Sequence, residues 1–326
     1  MNSYLLLISV FFLSLLLTVI IEARLIPTLK KRAQQPIYEG GPSWHISKSG
    51  TPTMGGVAFL ISITLAMLIA AVILFSKGQH TNATALLITL LYAIGNALVG
   101  IFDDLTKLKK KENAGLTPGQ KIFLQTIFAI LFLMAREHFL NDGTSVYILS
   151  REINLGVFYY LFAIVLLLGI VNCANLTDGV DGLCGCVAVA IGIIFFIIGH
   201  NGFTPAQILS SALVGGALGF LFFNSHPARI FMGDTGSLFI GAMTVGIAFL
   251  LKNPILIIPT GIVYVIEGTS VILQVIVYKL TKKRLFKMAP LHHHLERCGL
   301  SENQICLIAL LTTLIFSAIS FFMRRG

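Results

Sequence analysis

Three acidic clusters and one histidine run hold the residues of this chain best suited to chemistry. The most polar stretch is Asn172-Cys-Ala-Asn175-Leu-Thr-Asp178-Gly-Val-Asp181-Gly182, where amides, carboxylates and glycines interrupt apolar sequence. Ionisable groups beside hydrocarbon are costly and usually functional. A calcium loop is excluded by spacing, because Asp-x-Asp-x-Asp-Gly and its later Glu are absent. Ordinary Asn/Asp/Gly turn chemistry is the plainer alternative. Asp103 and Asp104 close an apolar run. Adjacent residues on a helix diverge by about 100°, so one can bind a ligand while the other orients. Two acids at a helix C-terminus also oppose the macrodipole, an unfavourable placement that asks for a reason. Lys107 stands four residues after Asp103, spaced for an i,i+4 pair or for a phosphate.

Gly233-Asp234-Thr235-Gly236-Ser237 precedes another apolar run, where main-chain N–H groups and the positive helix end favour anions. A capping turn would use the same residue types. Asn224 and Phe231 flank this segment, and an aromatic there either stacks on a base or anchors at the membrane interface. His292, His293 and His294 follow a basic run from Lys279 to Lys287. Three consecutive histidines cannot all point one way on a helix or strand, so a tandem metal trio is not expected. One or two of them meeting phosphate oxygens, with the others bonding backbone, fits better. Glu267, Ser270 and Gln274 recur at helical spacing and make one polar stripe, which should face the bundle or a water-filled groove.

The elements that must position these groups are membrane spans. The chain is 56% hydrophobic and only 11% charged, with a mean hydropathy of +0.88, far from soluble composition. A span needs about 20 mostly apolar residues, and ten segments qualify: 2–21, 55–76, 83–102, 122–136, 157–174, 183–199, 207–224, 237–251, 254–278 and 305–323. The expected fold is therefore all-α and polytopic, a single domain over 1–326, with the first run kept as an anchor because no cleavage site follows it. Loops alternate sides, and of the 23 Lys and Arg residues 17 fall in one set and six in the other. By the positive-inside rule the basic loops are cytoplasmic, both termini are outside, and all three acidic clusters face the cytoplasm. The outer loops are short or carry scattered charge. Five cysteines without disulfide or CxxC spacing read as packing residues.

Cytoplasmic acids, basic loops and no soluble domain suggest a reaction between a water-soluble polyanion and a partner held in the lipid bilayer. Two phosphate dianions about 4 Å apart repel by on the order of 16 kcal/mol at an effective dielectric of 20. A divalent cation and lysines must offset that, and Asp-rich loops supply hard oxygen ligands suited to Mg²⁺. This combination describes transfer of a phosphoryl-linked sugar to a lipid phosphate. A nucleic-acid partner is not expected. An anion transporter would also carry intramembrane acids, but it should show repeat symmetry, which is absent from this sequence.

Asp103-Asp104-x-x-Lys107, Asn172-x-x-Asn175-x-x-Asp178-Gly-x-Asp181-Gly, Gly233-Asp234-x-Gly236-Ser237 and Ala289-Pro-Leu-His292-His-His294, in this order among ten spans, resemble the polyprenyl-phosphate N-acetylhexosamine-1-phosphate transferase superfamily. The His triplet, with His45-x-x-Lys48-x-Gly50-Thr-Pro-Thr-Met-Gly-Gly56, is similar to its phospho-N-acetylmuramoyl-pentapeptide-transferase branch. The neighbouring branch, which uses UDP-N-acetylglucosamine, shares the acidic motifs, and the triplet argues against it. One departure is Tyr38, which stands where a basic residue is expected.

The resemblance covers nearly the whole chain and implies transfer of phospho-N-acetylmuramoyl-pentapeptide from its UDP donor to undecaprenyl phosphate, giving UMP and the first lipid intermediate of peptidoglycan synthesis. It implies Asp234 as the leading Mg²⁺ ligand, with Asp178, Asp103 and Asp104 completing the metal set. It further implies Asp103 or Asp104 acting on the lipid phosphate. Asp178, Asn175, Lys121, Gln274 and His293 would hold donor groups, with Phe231 near the uracil. Lys48, Lys107, Asn172, Asp181, Asn224, His292 and His294 fill out the substrate-binding set. The family also implies a homodimer in a bacterial plasma membrane. Two routes fit the chemistry: a covalent phospho-enzyme on an Asp, or direct attack by the lipid phosphate, which asks less of the protein.

Overall fold

A computed structural model of the chain describes residues 3–33, 48, 50–110, 115–148, 151–200, 202 and 204–323. Tyr38 and His45 lie outside these residues. The described chain is almost entirely helical: α1 (Ser3–Arg32), α2 (Gly56–Ser76), α3 (His80–Lys110), α4 (Pro118–Leu140), α5 (Phe158–Thr177), α6 (Leu183–Gly199), α7 (Thr204–Asn224), α8 (Gly233–Leu250), α9 (Ile257–Thr260), α10 (Ile262–Thr281), α11 (Leu291–Arg297) and α12 (Glu302–Met323). Among the described residues nine helices are long and apolar enough to cross a membrane, and α6 is a shorter apolar helix of 17 residues. Polytopic all-α architecture follows directly from the composition.

The ninth apolar run departs from the expected continuous span over 254–278. It breaks into a 3₁₀ turn at Pro254–Leu256, the short α9, and α10 starting after Gly261. A Cβ at Gly261 would lie 2.7 Å from the Ile257 carbonyl oxygen, so only glycine fits the bend. The loop after α4 is also more ordered than its scattered charge suggested. It folds into an antiparallel hairpin, β1 (Ser145–Ile148) and β2 (Arg151–Asn154), with Val146 opposite Ile153. Asn253 pins it, its amide bonding both main-chain groups of Tyr147 and the carbonyl of Met323.

Helix α8 is the axis of the bundle. Every residue from Thr235 to Leu250 is buried, and α2, α3, α5, α6 and α7 pack around it. Outer helices instead expose apolar side chains such as Leu5, Val72, Leu161 and Ile315, the surface hydrocarbon would cover. At 31 residues α3 is roughly 46 Å long. That exceeds a hydrocarbon core of about 30 Å, and its last turns carry Asp103, Asp104 and Lys107 past the apolar run. Glycines close the bundle around the start of α8. A Cβ at Gly56 would lie 2.2 Å from Gly236 Cα, and one at Gly100 would lie 2.3 Å from the Asp234 carbonyl oxygen. The three helices therefore meet backbone to backbone at Asp234.

Candidate active site

Asp103 and Asp104, one helical step apart, point to different partners. Asp104 accepts the main-chain N–H groups of Asp234 (3.1 Å) and Thr235 (2.9 Å) and the Thr235 hydroxyl (2.7 Å). It thus caps α8 from a neighbouring helix and supplies the negative charge its N-terminus favours. Gly233, at φ +73°, makes the turn, and a Cβ there would meet Asp104 Oδ2 at 2.7 Å.

Asp103 is fully buried and faces Asp234 across two lysines. Lys107 Nζ lies 2.7 Å from Asp103 Oδ2 and 3.1 Å from Asp234 Oδ1. Lys121 Nζ lies 3.0 Å from Asp103 Oδ1 and 2.5 Å from Asp234 Oδ2. Lys121 is delivered by the first turn of α4, whose start is fixed by a Thr117–Gln120 capping box with Pro118 at the first helical position. The preceding loop wraps Asp103: Leu116 N–H donates to its Oδ1 at 2.7 Å, and a Cβ at Gly115 would overlap the same oxygen.

Carboxylate oxygens of Asp103, Asp104 and Asp234 lie within 4.8 Å of one another. Two carboxylates at that separation repel by roughly 3 kcal/mol at an effective dielectric of 20, and the lysines offset this here. Hard oxygen donors converging at bond-forming range suit a divalent cation.

Asp178 follows α5 and stands beside this centre, half-buried. Desolvation, then the charges of Asp234, Asp104 and Asp181, hold its carboxyl well above the usual carboxylate range, with Lys107 opposing. One turn back, Asn175 donates to Ser237 Oγ at 2.8 Å, linking α5 to the start of α8. Asn172 is turned away, donating to Gln125 Oε1 and the Leu168 carbonyl.

Asp181 anchors a second cluster. Lys48 Nζ sits 2.7 Å from Asp181 Oδ1 and 2.8 Å from Glu302 Oε2. His226 Nδ1 lies 3.0 Å from Asp181 Oδ2, which also accepts the Ala228 N–H, and Glu302 accepts the Asp181 N–H. Burial works against the Lys48 ammonium, but hydrogen bonds and charge from Asp181 and Glu302 prevail and raise its pKa above the ordinary lysine value. Four segments are stapled here: the one before α2, the 178–182 turn, the loop after α7, and the start of α12.

The remaining candidates line or brace these clusters. Asn224 is buried, its amide bonding Gly182 N–H and the Ile230 carbonyl, so both ends brace main chain. Phe231 is held by its own backbone, donating to the Pro52 carbonyl and accepting from Gly55, and its ring is half-buried. Gln274 Oε1 accepts the N–H groups of Leu285 and Phe286 and shapes the basic loop. The histidines of α11 diverge: His292 is buried against Glu267, His293 pairs with Glu296 at 2.6 Å, and His294 accepts from the Lys287 N–H.

Residues 86–252 match glycosyl transferase family 4, and residues 48–60 match signature 1 of phospho-N-acetylmuramoyl-pentapeptide-transferase. The chain is 40% identical over 311 residues to the phospho-N-acetylmuramoyl-pentapeptide-transferase of Clostridium perfringens strain 13, covering 95% of this chain and 96% of that one. The chain belongs to this family. It is also 42% identical to the transferase of that name from Halalkalibacterium halodurans, covering 96% and 95% of the two chains. A Bacillus velezensis transferase is 44% identical, with 89% of each chain covered. As a member of the phospho-N-acetylmuramoyl-pentapeptide-transferase family, this is a bacterial multi-pass membrane enzyme.

The match over residues 86–252 spans the acidic centre and most of the second cluster, the signature over 48–60 covers Lys48, and Glu302 lies outside both. Sequence reasoning passed over Glu302, His226 and Thr235. Glu302 carried one usable signal, an acid three residues before an apolar run in a chain with only 14 acidic residues.

Proposed function

We propose that the protein transfers phospho-N-acetylmuramoyl-pentapeptide from its UDP donor to undecaprenyl phosphate, releasing UMP and forming lipid I. The observation that carries this reading is the pair Lys107 and Lys121, each shared between Asp103 and Asp234 at the base of α8. A pyrophosphate donor and a phosphate acceptor bring several negative charges to one point, and this centre holds cations and metal-binding oxygens together.

Mg²⁺ would be held by Asp234 and Asp103, with Asp178 nearby, and would supply charge neutralisation on the donor pyrophosphate. Asp104 is already engaged as the cap of α8 and acts by fixing the direction of Asp234. Lys107 and Lys121 turn to phosphate oxygens when substrates enter. A phosphate's second pKa near 6 leaves the lipid phosphate largely dianionic at neutral pH, so its oxygen attacks the sugar-bearing phosphorus directly. That bond forms as the bond from this phosphorus to the bridging oxygen breaks, and UMP leaves with the bridging electron pair. Asp103 positions the acceptor and takes any residual proton.

The Asp181–Lys48–His226–Glu302 staple sets the nucleotide end, with Phe231 at its rim, and His293 with Gln274 serves the peptide-bearing sugar. The centre faces the cytoplasm, both termini lie outside, residues 1–326 act as one domain, and the working unit is a homodimer. The test is UMP release by the purified protein. We expect release to require Mg²⁺, the muramoyl-pentapeptide donor and a polyprenyl phosphate together. Equal turnover of UDP-N-acetylglucosamine would move the protein to the neighbouring branch, and a burst of UMP without lipid would replace direct attack by a covalent intermediate.

A further inference from the structure

His292 is completely buried, and its Nε2 has no hydrogen-bond partner among the described residues. The other ring nitrogen, Nδ1, lies 3.1 Å from Glu267 Oε2, and that same oxygen accepts the His292 main-chain N–H at 3.2 Å. The main-chain bond marks Oε2 as an acceptor, so the proton shared with Nδ1 belongs to the ring. A neutral imidazole carrying its proton on Nδ1 leaves a bare lone pair on Nε2. That nitrogen is pressed against Gly179, where an added Cβ would lie 2.2 Å away. The opposite tautomer would aim an N–H at a glycine Cα with nothing to receive it, which burial penalises.

Glu267 is itself buried and cannot drift. The next residue, Gly268, packs so closely on α5 that a Cβ would meet Cys173 Sγ at 2.2 Å. A chain of contacts thus runs from α10 through Glu267 and His292 to Gly179, inside the turn that carries Asp178 and Asp181. We propose that Glu267 is a positioning residue that fixes the Nδ1–H tautomer of His292 and, through the ring, sets the height of the 178–182 turn against the acidic centre. The consequence for turnover rests on the reading of that turn as part of the donor site.

The test uses the full-length protein in detergent with ¹⁵N-labelled histidine, the His292 signal being assigned by its loss in His292→Gln. Wild type should show a protonated Nδ1 and an unprotonated Nε2. Glu267→Gln keeps a side-chain oxygen for the Nδ1–H and should keep that signature, with near wild-type kinetics. Glu267→Ala should lose it and raise the donor KM on the order of tenfold to a hundredfold, as small displacements of binding groups do, with the KM for polyprenyl phosphate unchanged. Persistence of the Nδ1–H signature in Glu267→Ala, or its loss in Glu267→Gln, overturns the proposal. A wild-type protein with the expected signature that makes no UMP would instead overturn the functional reading and leave the positioning role standing.

Discussion

The two ends of the bundle hold buried charge in opposite ways. At the hairpin end Arg136 is 4% exposed, pairs with Asp142, donates to the Phe249 carbonyl at 2.8 Å, and lies over the rings of Phe132 and Phe249. One cation meets one close anion, and two aromatic rings lie against the guanidinium, whose Nη1 has no hydrogen-bond partner among the described residues. At the other end three carboxylates crowd within reach of one another and only two ammonium groups serve Asp103 and Asp234. The first arrangement carries no excess of acid, since its carboxylate, Asp142, meets Arg136 closely and Lys252 Nζ at 3.9 Å. The second carries an excess of acid that only something cationic can finish, and that surplus distinguishes a site from a brace.

Removing charge should therefore have opposite consequences at the two ends. The largest effect is expected for Asp234→Asn, which loses the carboxylate shared by both lysines. We expect turnover to fall at least 10²- to 10³-fold, the scale seen when one preorganised electrostatic group is removed. Thermal stability without Mg²⁺ should fall only modestly, because the lost pairing with Lys107 and Lys121 is partly offset by relief of like-charge crowding. Steady-state UMP release against added Mg²⁺, with melting curves on the same preparations, checks both halves. Wild-type activity at equal Mg²⁺ would remove Asp234 from the metal set.

Arg136→Leu should behave in reverse. It leaves Asp142 with only the more distant Lys252 ammonium, 3.9 Å away, and frees the Phe249 carbonyl, and breaking a buried pair from one side costs about 3–5 kcal/mol. Folded enzyme should turn over normally, since the pair lies at the far end of α4 and α8 from Lys121 and Asp234. Chemical unfolding in detergent, with kcat measured per folded molecule, separates the two effects. If the variant were stable but slow, the division between brace and site would fail.

The same contrast explains what could be read from the sequence. Spans were legible because hydropathy is local, and the sixth coincides with α6 at Leu183–Gly199. The acidic motifs were legible because carboxylates beside apolar runs demand a reason. Pairing was not legible. Lys48 meets Glu302 across 254 positions and Lys121 meets Asp234 across 113, and no local pattern encodes such distances. The hairpin was hidden because Ser145–Ile148 and Arg151–Asn154 are too short and too weakly alternating to stand out. The break at Gly261 was hidden because a single glycine within an apolar run reads equally well as helix. Asp104 as a cap of another helix is a tertiary bond with no sequence signature beyond the acid itself.

The smallest expected effect sharpens the comparison at the acidic end, where Asp178 feels the surplus of its neighbours. Its carboxyl is held well above the usual carboxylate range by burial and by Asp234, Asp104 and Asp181. The unfolded chain releases this proton near pH 4, whereas the native protein retains it to higher pH. Above that point the native state binds more protons than the unfolded state, so its stability falls with rising pH until Asp178 ionises in the fold. Asn at this position has no proton to lose. With metal chelated, Asp178→Asn and wild type should melt together near pH 4, and the variant should gain progressively toward neutrality. A melting-temperature difference that stayed flat from pH 4.5 to 8, or shrank, would mean that Asp178 is ionised at ordinary cost and that the acidic end is as balanced as the pair at Arg136.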